Sequence, residues 1–193
     1  MIDLPNPADA QRLAAARRGD RAAFESLVTE AKAGLYRLIR RYVGDADDAY
    51  DVLQETFVSV WLALAGFDPS RPFGPWVRTI AMNKCRDFSR RRSVRQRFQR
   101  LFLLESGESG ESSDPWHHPD GSSVEDRDSA RLRALDRAIS ELPRQYKEPL
   151  ILTALHGLSH KEAAAQLGIS AKAVELRMRR ARLRLQPLLR RAD

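Results

Sequence analysis

A stretch near the middle of the chain, LESGESGESSDPWHHPDGSSVED over residues 104–126, constrains the fold more than any other feature. It carries seven carboxylates, six serines and three glycines, and no lysine or arginine. Such a segment buries too little apolar surface to offset the entropy of ordering it. It therefore reads as a flexible acidic linker, and the chain of 193 residues divides into two small domains around it. Apolar residues, 42% of the total, suffice for a core in each half. No run approaches the ~18 consecutive apolar residues of a membrane-spanning helix, so membrane insertion is not expected. The first residues, MIDLPNPADAQRLAAARRGD, lack the charged-then-apolar pattern of a secretory signal. Cys85, the single cysteine, cannot form an internal disulfide and suits a reducing cytosol.

The net charge of +7 points to a polyanionic partner, and its distribution sharpens the point. Residues 84–100 hold eight basic groups against Asp87 alone, and residues 172–191 hold eight against Glu175 alone. Two basic modules on an acidic tether is the organisation to be explained. A basic surface that is merely solvated remains the plain alternative.

Apolar spacing is helical almost throughout, and no alternating strand-like run stands out, so the fold class is all-α. From Asp20 to Tyr42, Phe24, Leu27, Val28, Leu35, Leu38 and Ile39 mark one amphipathic helix, with Gly34 a soft spot. From Asp47 to Leu64, Ala49, Val52, Leu53, Phe57, Val60 and Leu64 form one stripe. Asp47, Asp51, Gln54 and Glu55 share the opposite face at about 100° per residue. Pro69, Pro72 and Pro75 break the chain, and Pro75 opens the next helix, read to residue 92. On that helix Trp76, Thr79, Asn83, Arg86 and Arg90 form one stripe, while Val77, Ala81 and Phe88 point to a core. An aromatic at the head of a polar-basic stripe suits stacking and phosphate contact with single-stranded nucleic acid. The competing reading has Trp76 capping the core above solvated arginines.

Helices are expected over 124–141 and Gln145–His156, broken at Leu142-Pro143. Ser159 and Glu162 then have capping-box spacing, Gly168 ends a short helix, and Ser170 opens one running to about Arg190. LSHKEAAAQLGISAKAVELRMRRAR (158–182) thus has the form of a helix-turn-helix. Val174, Met178, Ala181 and Leu185 face inward. Lys172, Glu175, Leu176 and Arg179 face outward near the start of the second helix, the part that meets base edges in the major groove. The flanking arginines are placed for phosphates. A helical hairpin used for protein contact is the alternative.

Three segments in this order resemble the sigma-70 family in its small two-domain form, the extracytoplasmic-function (ECF, group IV) sigma factors. AYDVLQETFVSVW (49–61) is similar to the family's segment that grips core RNA polymerase. FGPWVRTIAMNKCRDFSRRR (73–92) resembles its −10 melting and reading element. LSHKEAAAQLGISAKAVELRMRRARLRL (158–185) resembles its −35-reading helix-turn-helix. The resemblance implies a sigma region 2 domain over 1–92, a linker over 93–129 and a sigma region 4 domain over 130–193. It implies that Asp51, Gln54 and Glu55 contact the β′ clamp helices, with the β subunit also a partner. Tyr50 departs from the family's common glutamate.

The same resemblance gives −10 DNA contacts to Trp76, Thr79, Asn83, Lys84, Arg86 and Arg90, with Asn83 at the pocket for a flipped-out base. It gives −35 contacts to Ser170, Lys172, Ala173, Glu175, Leu176, Arg179 and Arg180. Lys172-Ala173 stand where Gly-Thr is common and Glu175 where a basic residue is, so the −35 sequence should differ from that of well-known members. Further implications are promoter DNA as ligand, an anti-sigma factor as regulator, and a cytoplasmic, nucleoid-associated site of action. The linker resembles the family segment that threads near the polymerase active centre.

The function expected is promoter-specific initiation with core RNA polymerase, by reading −10 and −35 elements and aiding strand opening. A helix-turn-helix regulator acting on duplex DNA without polymerase is the alternative. An enzyme is not expected: there is no Gly-rich phosphate loop and no HExxH. No cofactor or metal is expected either. His156 and His160 straddle a break, and His117-His118 lie in the linker.

Overall fold

The structure is a computed structural model describing residues 7–105 and 124–190. The core of the segment read as a linker, 106–123, and with it His117 and His118, lies outside the described residues. All regular structure among them is helical, and no strand occurs there.

The first half contains α1 (Pro7–Arg17), α2 (Arg21–Val43), α3 (Ala46–Leu64) and α4 (Phe73–Glu105). Asp20 caps α2 by accepting from the Ala23 N–H, and Asp45 caps α3 by accepting from the N–H groups of Asp47 and Asp48. Each supplies an acceptor to the otherwise unpaired amides of a first turn. Helix α2 runs unbroken past Gly34 and stops at Gly44, whose left-handed φ of 88° closes the helix without a side-chain clash. The stripes read from the sequence face one another in the core. Leu38, Ile39, Val52, Val60, Ala81 and Cys85 are buried there. The buried hydroxyl of Thr56 donates to the Val52 carbonyl of its own helix at 2.7 Å, so no polar atom is stranded there.

Two features of this half differ from the sequence reading. Helix α1 had no counterpart in it: Leu13 and Ala16 bury against the rest, and Arg12 donates to Ser26 Oγ at 2.9 Å. Its alanine-rich run, LAAAR, is the helix-propensity signal that could have found it. Helix α4 begins at Phe73 and continues to Glu105. Pro75 sits within its first turn, where a missing N–H costs nothing, and between residues 93 and 105 no proline or glycine interrupts the helix.

The second half contains α5 (Val124–Glu141), α6 (Arg144–Leu150), α7 (His160–Leu167) and α8 (Ala171–Arg190). The segment read as one helix to His156 is instead α6 followed by a π turn over Ile151–Leu155. Pro149 lacks the N–H that an α-helix would require and crowds the preceding turn, and the chain widens directly after it. Ser159 and Glu162 form the expected reciprocal capping box, with Gly168 in the left-handed region (φ 66°) at the end of α7. Ser170 Oγ accepts from Ala173 N–H at 3.1 Å to open α8. Val174, Met178, Ala181 and Leu185 are buried, as their spacing required.

The two halves also pack on each other: α2 lies against α5 and the π turn. Nothing in the periodicity signalled this seam.

Burial makes one part of the fold acid-sensitive. His156, at the end of the π turn, has its imidazole pKa lowered to about 4 by burial and then by the nearby Arg78 and Arg37 charges. Between pH 6.5 and 4 the unfolded chain takes up a proton that the folded chain refuses, so stability falls as pH drops through that window. After a discount for partial exposure, the loss from pH 7 to pH 5 is ~1 kcal/mol. Urea midpoints at the two pH values should register it, and His156→Gln should flatten the difference.

Candidate nucleic-acid and polymerase interfaces

Helix α3 turns Asp51 and Gln54 fully outward, with its apolar stripe buried behind them. Glu55 is half-buried and receives Arg91 Nη2 from α4 at 3.1 Å, while Asp48 pairs with Arg92 at 3.3 Å. The acidic face is thus partly compensated at one edge and open at Asp51 and Gln54. Tyr50 is exposed and stacks at 4.6 Å on Tyr36 of α2. Along the same face Val58 and Leu62 extend the exposed surface with apolar groups that the sequence reading did not single out.

On α4, Thr79, Asn83 and Arg90 are exposed, and Lys84 and Arg86 are partly so. Trp76 is not the fully exposed aromatic its place on the stripe suggested. It is half-buried in a cluster with Phe67 at 4.6 Å and Phe73 at 5.7 Å between ring centres. The FDPSRPFGP turn brings Phe67 and Phe73 against Trp76 at the start of α4, with the ring planes tilted by 41° and 40°. Thr79 donates to the Pro75 carbonyl at 2.9 Å, and Arg90 pairs with Asp87 at 3.0 Å. Asn83 Oδ1 accepts from Arg86 Nη1 at 2.8 Å.

Arg86 itself reaches across to the second half. Its Nε and Nη2 donate to the two carboxylate oxygens of Glu148, each at 2.7 Å, a bidentate fork. Arg144 Nε at 2.8 Å and the Tyr42 hydroxyl at 3.2 Å also donate to this carboxylate. Burial favours a neutral Glu148, but the Arg86 hydrogen bonds and charge, and then those of Arg144, outweigh it and hold the pKa below the ordinary range. Lys147 is buried beside it, donates to the Tyr42 and Ser140 carbonyls, and lies over the Tyr42 ring. Burial lowers its pKa to about 8. None of these partners was legible from motifs. The one signal was a charged pair, Lys147-Glu148, set between Tyr146 and the apolar run Pro149-Leu150-Ile151-Leu152.

In the second half, Lys172, Glu175, Leu176, Arg179 and Arg180 project outward from the first turns of α8, and Lys172 pairs loosely with Glu175 at 3.6 Å. Ser170 is exposed at the cap and Ala173 half-exposed. The face anticipated for base contact is therefore presented as one surface, and the three anticipated interfaces lie on three different helices. Among the described residues no cluster of histidine, cysteine or carboxylate groups could hold a metal. No helix among them is long and apolar enough to cross a membrane.

Comparison with known proteins gives these faces a family. The profile of Sigma-70 region 2 matches residues 27–95, and that of Sigma-70, region 4 matches residues 132–185. The chain belongs to the sigma-70 family, as an ECF sigma factor. RNA polymerase sigma factor CnrH of Cupriavidus metallidurans is 39% identical over 95% of this chain and 96% of its own length. NccH of Alcaligenes xylosoxydans xylosoxydans is 38% identical over 90% of each. In structure, CnrH in complex with the cytosolic domain of CnrY aligns with a TM-score of 0.65 at 33% identity, covering 96% of this chain and 99% of that one. The sigma factor RpoE in complex with the anti-sigma factor NepR from Bartonella quintana aligns at 0.61 and 25% identity, covering 86% and 96%.

This sigma factor binds core RNA polymerase and directs promoter-specific initiation of transcription. The reading as a duplex-DNA regulator working without polymerase is not favoured. Sigma factors are regulatory, non-catalytic proteins.

Proposed function

We propose the following division of labour for this sigma factor. The domain of residues 1–92 docks on the polymerase β′ clamp helices through Asp51, Gln54 and Glu55. The same domain reads and melts the −10 element through Trp76, Thr79, Asn83, Lys84, Arg86 and Arg90. The domain of residues 130–193 reads the −35 element with Ser170, Lys172, Ala173, Glu175, Leu176, Arg179 and Arg180. Residues 93–129 join them and thread their carboxylates through the polymerase.

The observation that carries this reading is that each face puts side chains in solvent (Asp51 and Gln54 on α3, Thr79, Asn83 and Arg90 on α4, Lys172, Glu175, Leu176, Arg179 and Arg180 on α8) with a buried stripe of the same helix behind them. Carboxylate and amide groups on α3 suit charge-assisted bonds to arginine-bearing helices. Asn83 offers amide donors and an acceptor to the edge of an extruded base, and the exposed flank of Trp76 supports an unstacked neighbour. Glu175 in the major groove would accept from cytosine N4. Linking the two readers raises the effective concentration of the second contact once the first is made, so two weak sites add up to one selective one. Strand opening then draws on captured bases rather than on a turnover reaction, and the protein has no enzymatic activity of its own. Its place of work is the cytoplasm, on the nucleoid. CnrH and RpoE are each described in complex with another protein, NepR being named an anti-sigma factor. By that likeness an anti-sigma factor restrains this chain.

Run-off transcription with core polymerase on a randomised promoter library tests the whole. Wild-type protein should select defined −10 and −35 sequences. Asn83→Ala should flatten selection at one −10 position while leaving −35 selection intact. An equal loss on every −10 variant would refute base reading by Asn83. Affinity for free promoter DNA should fall steeply with salt, as phosphate contacts require.

A further inference from the structure

The contact between the halves takes up Arg86, one of the residues assigned to −10 DNA, and through it the amide oxygen of Asn83. Arg86, on the −10 face of α4, spends both arms of its fork on Glu148, and its remaining nitrogen holds the Asn83 amide oxygen. The Glu148 side chain is only 6% exposed, so this carboxylate is enclosed rather than a loose surface partner. A guanidinium fork binds carboxylate and phosphate oxygens with the same two-point geometry. We infer that Glu148 is an intramolecular stand-in for a DNA phosphate: with region 4 docked on region 2, it closes the −10 reader of the free protein. The inference rests on the assignment of Arg86 and Asn83 to −10 DNA.

The rest of the seam suits a closure that can reopen. Asp136 on α5 pairs with Arg41 on α2, and Lys147 donates to the buried Tyr42 carbonyl in the last turn of α2. Gly44 fits beneath Ser140, where any Cβ at position 44 would overlap the serine side chain. Around these contacts lies a cleft of about 830 Å³, lined by Arg86, Arg90, Arg92, Arg137 and Arg144 among others. Buried apolar residues of the second half, Ile139, Ile151 and Leu152 among them, join the same core as those of the first, so the seam mixes apolar with polar contacts, as interfaces between mobile domains of one chain do. Apparent affinity for the −10 strand is then reduced in proportion to the closed fraction, and anything that pulls region 4 away restores it.

The test compares the full-length wild type with two variants that open the seam by unrelated routes. Glu148→Gln keeps the shape of the side chain and removes its charge. Ser140→Phe wedges the seam at Gly44 without touching Arg86 or Glu148. Ser140 donates only to a carbonyl of its own helix, so neither half needs it to fold. Binding of a fluorescent single-stranded −10 oligonucleotide and the radius of gyration by small-angle X-ray scattering are read for each.

The expected result is a larger radius and a five- to tenfold tighter binding in both variants, ~1–1.4 kcal/mol by the usual conversion. Adding Asn83→Ala to Ser140→Phe should abolish the gain. Equal binding by wild type and both variants, weakened in each by Asn83→Ala, overturns the closure while leaving the −10 assignment standing. A gain indifferent to Asn83→Ala, or no binding by any variant, overturns both.

Discussion

Asp51→Arg should reduce affinity for core polymerase by about 100-fold or more and abolish promoter-directed run-off at matched concentrations. On the proposed docking face, Asp51 loses a charge-assisted bond of ~1.5–3 kcal/mol and adds a repulsion, and each ~1.4 kcal/mol is tenfold in affinity. The side chain is exposed on α3 with the helix core behind it, so the thermal midpoint should hold and the loss is one of docking rather than folding. Glu55→Gln should cost less, because the wild-type carboxylate must first release Arg91, its partner at 3.1 Å. Pull-down of core polymerase and urea unfolding of the same preparations separate the two effects. A Glu55→Gln loss equal to that of Asp51→Arg would mean that the Arg91 pair does not compete with docking.

Leu38→Ala should lower the unfolding free energy of the first half by ~2–5 kcal/mol, the range for large-to-small changes at fully buried positions. Leu38 is fully enclosed and sits on α2, the helix on which α1, α3, α4 and α5 all pack. Few neighbours can relax into the void without disturbing another helix, which favours the upper part of that range. A domain of this size has only ~5–15 kcal/mol in total, so the midpoint in urea should move markedly. Leu62→Ala is the control. Leu62 belongs to α3 but is 76% exposed, and its loss should be nearly silent in stability.

Much of the molecule was legible from its residues because helical amphipathicity is a local signal. Buried stripes such as Ala49–Val52–Val60 and Val174–Met178–Ala181 needed only their spacing, and the caps at Asp20 and Ser159 only their side-chain chemistry. The acidic and basic faces were legible for the same reason: residues that share a face are a few positions apart. Trp76 marks the limit. Its place on the polar stripe was correct, but whether its ring stands in solvent depended on Phe67, brought beneath it by the proline-rich turn. The π turn after Pro149 is a similar case. The proline announced a disturbance, and only the surrounding packing selected a widened turn over a break.

What the sequence determined alone was therefore the class of fold, the division into two charged helical modules and the outward faces of α3, α4 and α8. All of these follow from patterns within about twenty residues, the length of a single helix. The tertiary structure decided how the modules meet. Glu148 finds Arg86 and Tyr42 across 62 and 106 positions of sequence, Asp136 finds Arg41, and Gly44 makes room for Ser140. Each of those residues had ordinary local uses as a surface charge or a helix cap. Their joint role exists only because the two halves fold back onto one another, a long-range arrangement that no local periodicity encodes.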